Sequence, residues 1–352
     1  LDIFYKLRRD LIDSRKLEYR DDAMAHYLTG ITYEANGEMD NARISYQKAA
    51  TSYEDGFAKQ FQLGDSMTKQ AWFDVVRIMR QSGDYENEWP RLAKKKLSKK
   101  QISQLSQYDN KSQLVVIEHV GVVPQRQEMN IELSADPRNK TLELRPYIVG
   151  GGKQLDILAW FYIVYADKSL LDMAINYYDS SFHGFAMNGF TKTISLGPAW
   201  EGAVDLGLIQ AIGSGLRITV PYYASPRNKP GASFASIDGE SYALLPASSP
   251  AIMGINEQIL SAGSDIELAL ARGAMKALTA QKVAEAGQND WVTILASVGR
   301  LASQLSDAAE TRNWLMLPFE IRVTRIPLDA GSHEIAISSV VHKGKPAVKQ
   351  KQ

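Results

Sequence analysis

The chain has 352 residues, 40 Lys and Arg against 40 Asp and Glu, 45% hydrophobic residues and no cysteine. That length fits two or three domains of about 100–200 residues each and allows a core that needs no covalent staples. The missing cysteine excludes thiol nucleophiles, Cys-zinc sites and iron–sulfur clusters. A formal net charge of zero argues against a chain that wraps nucleic acid or coats an anionic membrane, since both need a basic field.

The first hundred residues carry helical spacing. Asp21 and Asp22 offer an N-terminal cap, and Ala23, Tyr27, Leu28, Ile31 and Ala35 follow at helical intervals before Asn36-Gly37. A second helix begins near Asp40 and carries Ala42, Tyr46, Ala49, Ala50 and Tyr53. Gly30, Tyr33, Ala42, Tyr46 and Ala49 fall at the offsets of a tetratricopeptide repeat, in which the small residues mark a close helix crossing. His26 stands at the motif's tryptophan-like position and Glu54 replaces its closing proline. A decayed second repeat is expected around Gly64, Val76, Arg80 and Gly83. Tyr27, Ile31 and Glu34 would lie on the inner face of the first repeat, where such domains receive partner segments; packing of Tyr27 on a neighbouring helix is the alternative.

Residues 91–112 open on a basic run, Arg91 to Lys100, that reads as a solvated helix or a linker. From Leu114 the pattern changes to strands: 114–123, Met129–Leu133, Thr141–Val149, Ile157–Tyr165 and Leu216–Tyr222. The longest apolar run, 157–166, is about half of the ~20 residues a membrane-spanning helix needs, and its β-branched and aromatic content predicts a buried strand. The glycine-rich stretch 180–215 fits either loops or closely packed strands. A helix returns near Ile255, with Ala269, Gly273 and Ala277 recurring every fourth residue as a ridge for close packing within the domain or across an oligomer interface. Another helix is expected over Trp291–Leu305. Leu317–Ile326 and Ile335–Val341, joined by an Asp-Ala-Gly turn, predict a C-terminal β-hairpin. Arg312 and Trp314 suggest a stacked joint where the helix hands over to these strands.

The sequence thus predicts an α+β protein: a helical region over 1–90, a basic linker over 91–112, a strand-rich α+β domain over 113–342 with an expanded segment at about 150–215, and a lysine-rich tail over 343–352. Tests for chemistry fail one by one. Gly150-Gly151-Gly152-Lys153 lacks the first glycine and the Ser/Thr of a phosphate loop, so a hairpin turn is expected there. The five histidines have no metal-ligand spacing. Gly213-Ser214-Gly215 lacks the outer frame of a nucleophile elbow. No catalytic, cofactor or metal residue is assigned. A chain of this kind is expected to bind rather than to catalyse; the alternative is a hydrolase acting on a cell-wall polymer, with its site assembled in three dimensions.

Four segments together resemble a family of proteobacterial envelope lipoproteins: the hairpin over 23–49, the strands over 115–133, GLRITVPYY over 215–223, and the stretch 310–335 with its Thr-Arg-Asn-Trp and Leu-Pro pairs. The helix LALARGAMKAL over 268–278 is also of the family's kind, whereas about 150–210 is matched weakly. The resemblance implies an exported protein in the periplasm, anchored to the outer membrane through a lipidated cysteine before Leu1. A chain that starts at Leu1 without a leader fits such processing, and a trimmed product equally. The resemblance also implies other envelope proteins as partners and membrane contact through the anchor, while the small-residue ridge makes the chain itself a second expected partner and the balanced charge leaves no nucleic acid among them. A cytosolic repeat adaptor is the remaining expectation, which an export signal in the precursor would eliminate.

Overall fold

A computed structural model describes residues 21–147, most of 192–258 and 316–340, with single positions such as Ile157, Phe161, Ala269, Arg312 and Trp314. The protein is α+β, and it divides into two compact units that each take several pieces of the chain. The first unit comprises 1–123, 228–253 and 316–352; the second comprises 124–227 and 254–315. This division differs from the sequential one expected, because strands far apart in sequence pair within each unit.

The first unit opens with α1 (Ala23–Ala35) and α2 (Met39–Ser52), an antiparallel hairpin. Asp22 caps α1: its carboxylate accepts hydrogen bonds from Met24 N at 2.9 Å and Ala25 N at 3.2 Å, a motif that typically stabilises a helix by about 1 kcal/mol. Gly30 meets Tyr46 so closely that a Cβ there would stand 2.6 Å from the ring. This is the crossing that the small residues foretold. A π turn over Tyr53–Phe57 leads out of α2, and α3 (Ser66–Ser82) packs on it. Gly64 sits in the left-handed turn before α3, at φ 71°, with open space around it. It therefore fills a turn and not a second helix crossing, and the segment expected as a second repeat contributes one long helix.

The basic run takes the helical alternative and not the linker. It belongs to α4 (Trp89–Lys96) and α5 (Lys99–Gln104), followed by a 3₁₀ turn. Ala93, Leu97, Leu105 and Tyr108 are buried in the same core as α1–α3. The lysines ride on the outer side of these helices; Lys96, for example, pairs with Glu54 at 2.6 Å and lies 4.3 Å from the Trp72 ring centroid.

Two three-stranded antiparallel sheets complete this unit, in the orders β1-β9-β8 and β10-β6-β7. The first holds β1 (Ser112–Val120), β8 (Leu245–Ser248) and β9 (Glu320–Leu328); the second holds β6 (Ser233–Ile237), β7 (Glu240–Ala243) and β10 (Ile335–Ser339). The alternation of strand side chains makes the central sheet two-faced. Val115, Leu245, Ile321 and Val323 join the helical core, while Leu114, Val116 and Ile326 pack with Ala235 and Ile237. The expected C-terminal hairpin does not form. β9 pairs with β1 and β8, and β10 pairs with β6, so the Asp329–His333 connection crosses from one sheet to the other. A turn-like sequence between two strands carries no information on which neighbours those strands find.

The second unit contains a four-stranded antiparallel sheet of order β4-β3-β2-β5. It is built from β2 (Arg126–Asp136), β3 (Thr141–Pro146), β4 (Lys192–Ser195) and β5 (Leu216–Tyr223). Met129, Ile131 and Leu133 alternate inward on β2, and Ile218, Val220 and Tyr222 match them on β5. The short helices α6 (Ala199–Asp205) and α7 (Leu208–Ile212) occupy part of the glycine-rich stretch, and α7 packs on β2. Ile157 and Phe161 are helical and not part of a strand; their spacing of one helical turn places both on one face. The helix expected near Ile255 already begins at 250. The turn at Gly150–Lys153, the helix over 291–305 and the tail lie outside the described residues. Among the described residues, no helix is long and apolar enough to cross a membrane.

Candidate functional site

The core of the first unit contains charge. Asp74 and Arg77 sit one turn apart in α3 among Val75, Val76 and Ile78, and both are buried. Arg77 Nε donates to Asp74 Oδ1 at 3.0 Å, and its two terminal nitrogens donate to Glu34 of α1 at 2.8 and 2.9 Å. Arg325 enters from β9. It donates to the Tyr46 hydroxyl at 2.6 Å and to Gln113 of β1 at 2.6 Å, and stands 3.1 Å from Glu34 and 3.2 Å from Asp74. Tyr27 donates to Asp74 Oδ2 at 2.7 Å and Tyr46 donates to Glu34 Oε2 at 2.7 Å. Two guanidinium and two carboxylate groups from three elements, α1, α3 and β9, thus meet with no net charge.

Electrostatics follow from that enclosure. Burial alone would raise the Glu34 and Asp74 carboxyls, but the facing Arg77 and Arg325 charges outweigh it and hold both below the ordinary carboxylate range. Burial pushes the Tyr27 and Tyr46 hydroxyls up, so both stay protonated donors. Such a cluster adds little net stability compared with well-packed apolar residues, yet removing one member leaves a buried charge without its partner.

The outer edge of this cluster opens into a cleft of about 780 Å³. Ile31, Ala35, Met39 and Val115 form its apolar wall, and Glu34, Gln81, Gln113 and Arg325 form a polar floor. Arg80, Asp109, Asn110 and Lys111 also line it. Arg80 pairs with Asp109 and stacks 5.5 Å from the Trp89 ring centroid, and Lys111 pairs with Asp329 at 2.9 Å. Each charged side chain lining the cleft already holds a counter-ion. The cleft thus sets an apolar wall beside polar groups that can share hydrogen bonds.

Away from the cleft, His333 Nδ1 lies 2.6 Å from Asp238 Oδ2. Its Nε2 lies 2.9 Å from the Asp329 carbonyl oxygen, so both ring nitrogens are engaged within one connection. The hydrogen bond with Asp238, then that with Asp329, raises this imidazole above its ordinary value. It clips the crossing between the two sheets. Among the described residues no group of His, Asp and Glu could hold a metal ion.

Of the residues expected to meet a partner, Ile31 and Glu34 line the cleft, while Tyr27 is 0% exposed and committed to Asp74. Tyr27 thus takes the packing alternative. Ala269 is buried within the single chain, and Gly273 and Ala277 lie outside the described residues. Trp314 is 71% exposed, and Arg312 is exposed beside it in sequence. Sequence reasoning missed Asp74, Arg77 and Arg325. A signal existed: Asp74 and Arg77 interrupt the apolar face of α3, and Arg325 follows Ile321 and Val323 on one face of β9.

No protein-family model, no curated protein and no solved structure matches the chain.

Proposed function

We propose that this chain is a non-enzymatic assembly protein of the cell envelope, which binds other envelope proteins through the cleft of its helical unit. One observation carries the reading: each charged group at the cleft is neutralised by a neighbour, beside an apolar wall that includes partly exposed Ile31 and Met39. Partners are held at such surfaces by burial of apolar side chains and by shared hydrogen bonds. The tetratricopeptide-like offsets of the α1–α2 hairpin support the same reading, because stacked repeats of that kind present binding surfaces and Ile31 of this hairpin lines the cleft. The resemblance to envelope lipoproteins supports a periplasmic location with an outer-membrane anchor.

A photo-crosslinking residue placed at Met39 in cells tests this proposal. The expected outcome is a defined envelope protein joined at Met39, in the outer-membrane fraction, and absent when the crosslinker sits on the far side of α2 at Lys48. Equal labelling from both positions, or a cytosolic distribution of the protein, overturns it.

A further inference from the structure

The two edges of the central sheet are treated differently. β8 is four residues long, carries Pro246 and loses register between Pro246 and Ser248. Proline, shortness and a bulge are the devices that keep an edge strand from recruiting another chain. β1, at the opposite edge, has none of them. It runs nine residues and pairs along its full length with β9 from Ser112↔Leu328 to Val120↔Glu320. Its centre is Leu114-Val115-Val116-Ile117, without lysine or proline, and Ile117 is 44% exposed. Among the described residues no strand pairs with its outer side.

This open edge borders the cleft, since Gln113 and Val115 belong to both. We propose that β1 is the docking edge for an extended segment of a partner protein, which adds as an antiparallel strand and sends alternate side chains into the cleft. This inference rests on the binding role proposed above and names the partner's chemistry. Residues directly opposite in paired strands share a face. The two added residues opposite Val115 and Gln113 therefore point into the cleft, two positions apart. The first meets the apolar wall of Ile31, Met39 and Val115. The second lies toward the start of β1, where Lys111 precedes the strand in sequence; its pair with Asp329, a side chain 75% exposed, is a surface pair of little net worth that an entering carboxylate can share. In an antiparallel strand this second residue is the C-terminal one of the two. The edge thus selects an apolar residue followed two positions later by an acidic side chain or a terminal carboxylate, as strand-adding recognition generally selects alternate positions.

The full chain, panned against a phage-displayed library of random dodecapeptides, provides the test. Enriched peptides are expected to share the apolar–any–acidic pattern. A labelled peptide of that kind is expected to slow amide exchange over Ser112–Ile117 and to bind at least tenfold more weakly to Ile117→Lys and to Lys111→Glu. Ile117→Lys adds a charge at an exposed position, and circular dichroism checks that both variants stay folded. Absence of enrichment, peptides without the pattern, or binding unmoved by both variants overturns the proposal. A dimer in light scattering that Ile117→Lys converts to a monomer would place a second copy on this edge and overturn it equally. Partners crosslinked at Met39 in cells, with no peptide binding at β1, would refute the edge while leaving the assembly role standing.

Discussion

Arg325 Nη2 donates a 2.6 Å hydrogen bond to the Tyr46 hydroxyl, joining a strand near the end of the chain to a helix near its start. The same guanidinium stands 3.1 Å from Glu34 and 3.2 Å from Asp74. This contact fixes the register of β9 beneath the helices, because a slip of one residue would turn Arg325 to the opposite face of the sheet.

Arg325→Ala is expected to destabilise the first unit by about 3–5 kcal/mol, the usual cost of leaving buried partners without their counter-charge. Urea unfolding followed by tryptophan fluorescence measures it. Replacing Glu34, Asp74, Arg77 and Arg325 together by Gln, Asn, Met and Met is expected to recover much of that loss. A quadruple variant weaker than the single one would show that the cluster contributes net stability.

Gly30→Ala is expected to destabilise as well. Its Cβ would stand 2.6 Å from the Tyr46 ring, and overpacking of about 1–3 kcal/mol exceeds the ~1 kcal/mol of helix propensity that alanine gains. In a Tyr46→Leu background the same change should become neutral or stabilising. A thermal-melt cycle over the four proteins checks the change of sign.

Acid should unfold the first unit late and steeply. Glu34 and Asp74 titrate below their ordinary range in the folded state. Their contribution is therefore present above the unfolded carboxylate values of about 4 and is lost as pH falls through the lower folded values. Glu34→Gln is expected to lower stability at pH 7 and to flatten its fall between about pH 5 and pH 2. Parallel slopes for the two proteins would remove Glu34 from this linkage.

His333 gives the opposite sign. Its folded value is raised by Asp238 and by the Asp329 carbonyl, so its contribution is present below the ordinary histidine value and fades as pH rises through the folded one. Nuclear magnetic resonance of the imidazole should place its titration above about 6.5, and Asp238→Asn should bring it down. An unmoved titration in that variant would mean that Asp238 does not hold the ring.

Much of the local structure is legible along the chain. The Asp22 cap, the tight approach of Gly30 to Tyr46 and the strand pattern of β1, β2, β5 and β9 all follow from spacing and side-chain type, which act within one or two turns of backbone. Composition alone also excluded thiol and cysteine-metal chemistry. Tertiary structure decided the rest. It paired Ser112 with Leu328, separated β9 from β10, and packed the helices of the basic run into the core through Ala93, Leu97, Leu105 and Tyr108. It also converted Glu34, Asp74, Arg77 and Arg325 from ordinary charges into one buried cluster beside a cleft. The reason is physical: periodicity records which face of an element is buried, whereas strand partners and counter-ions are chosen by contacts among residues that sequence keeps far apart.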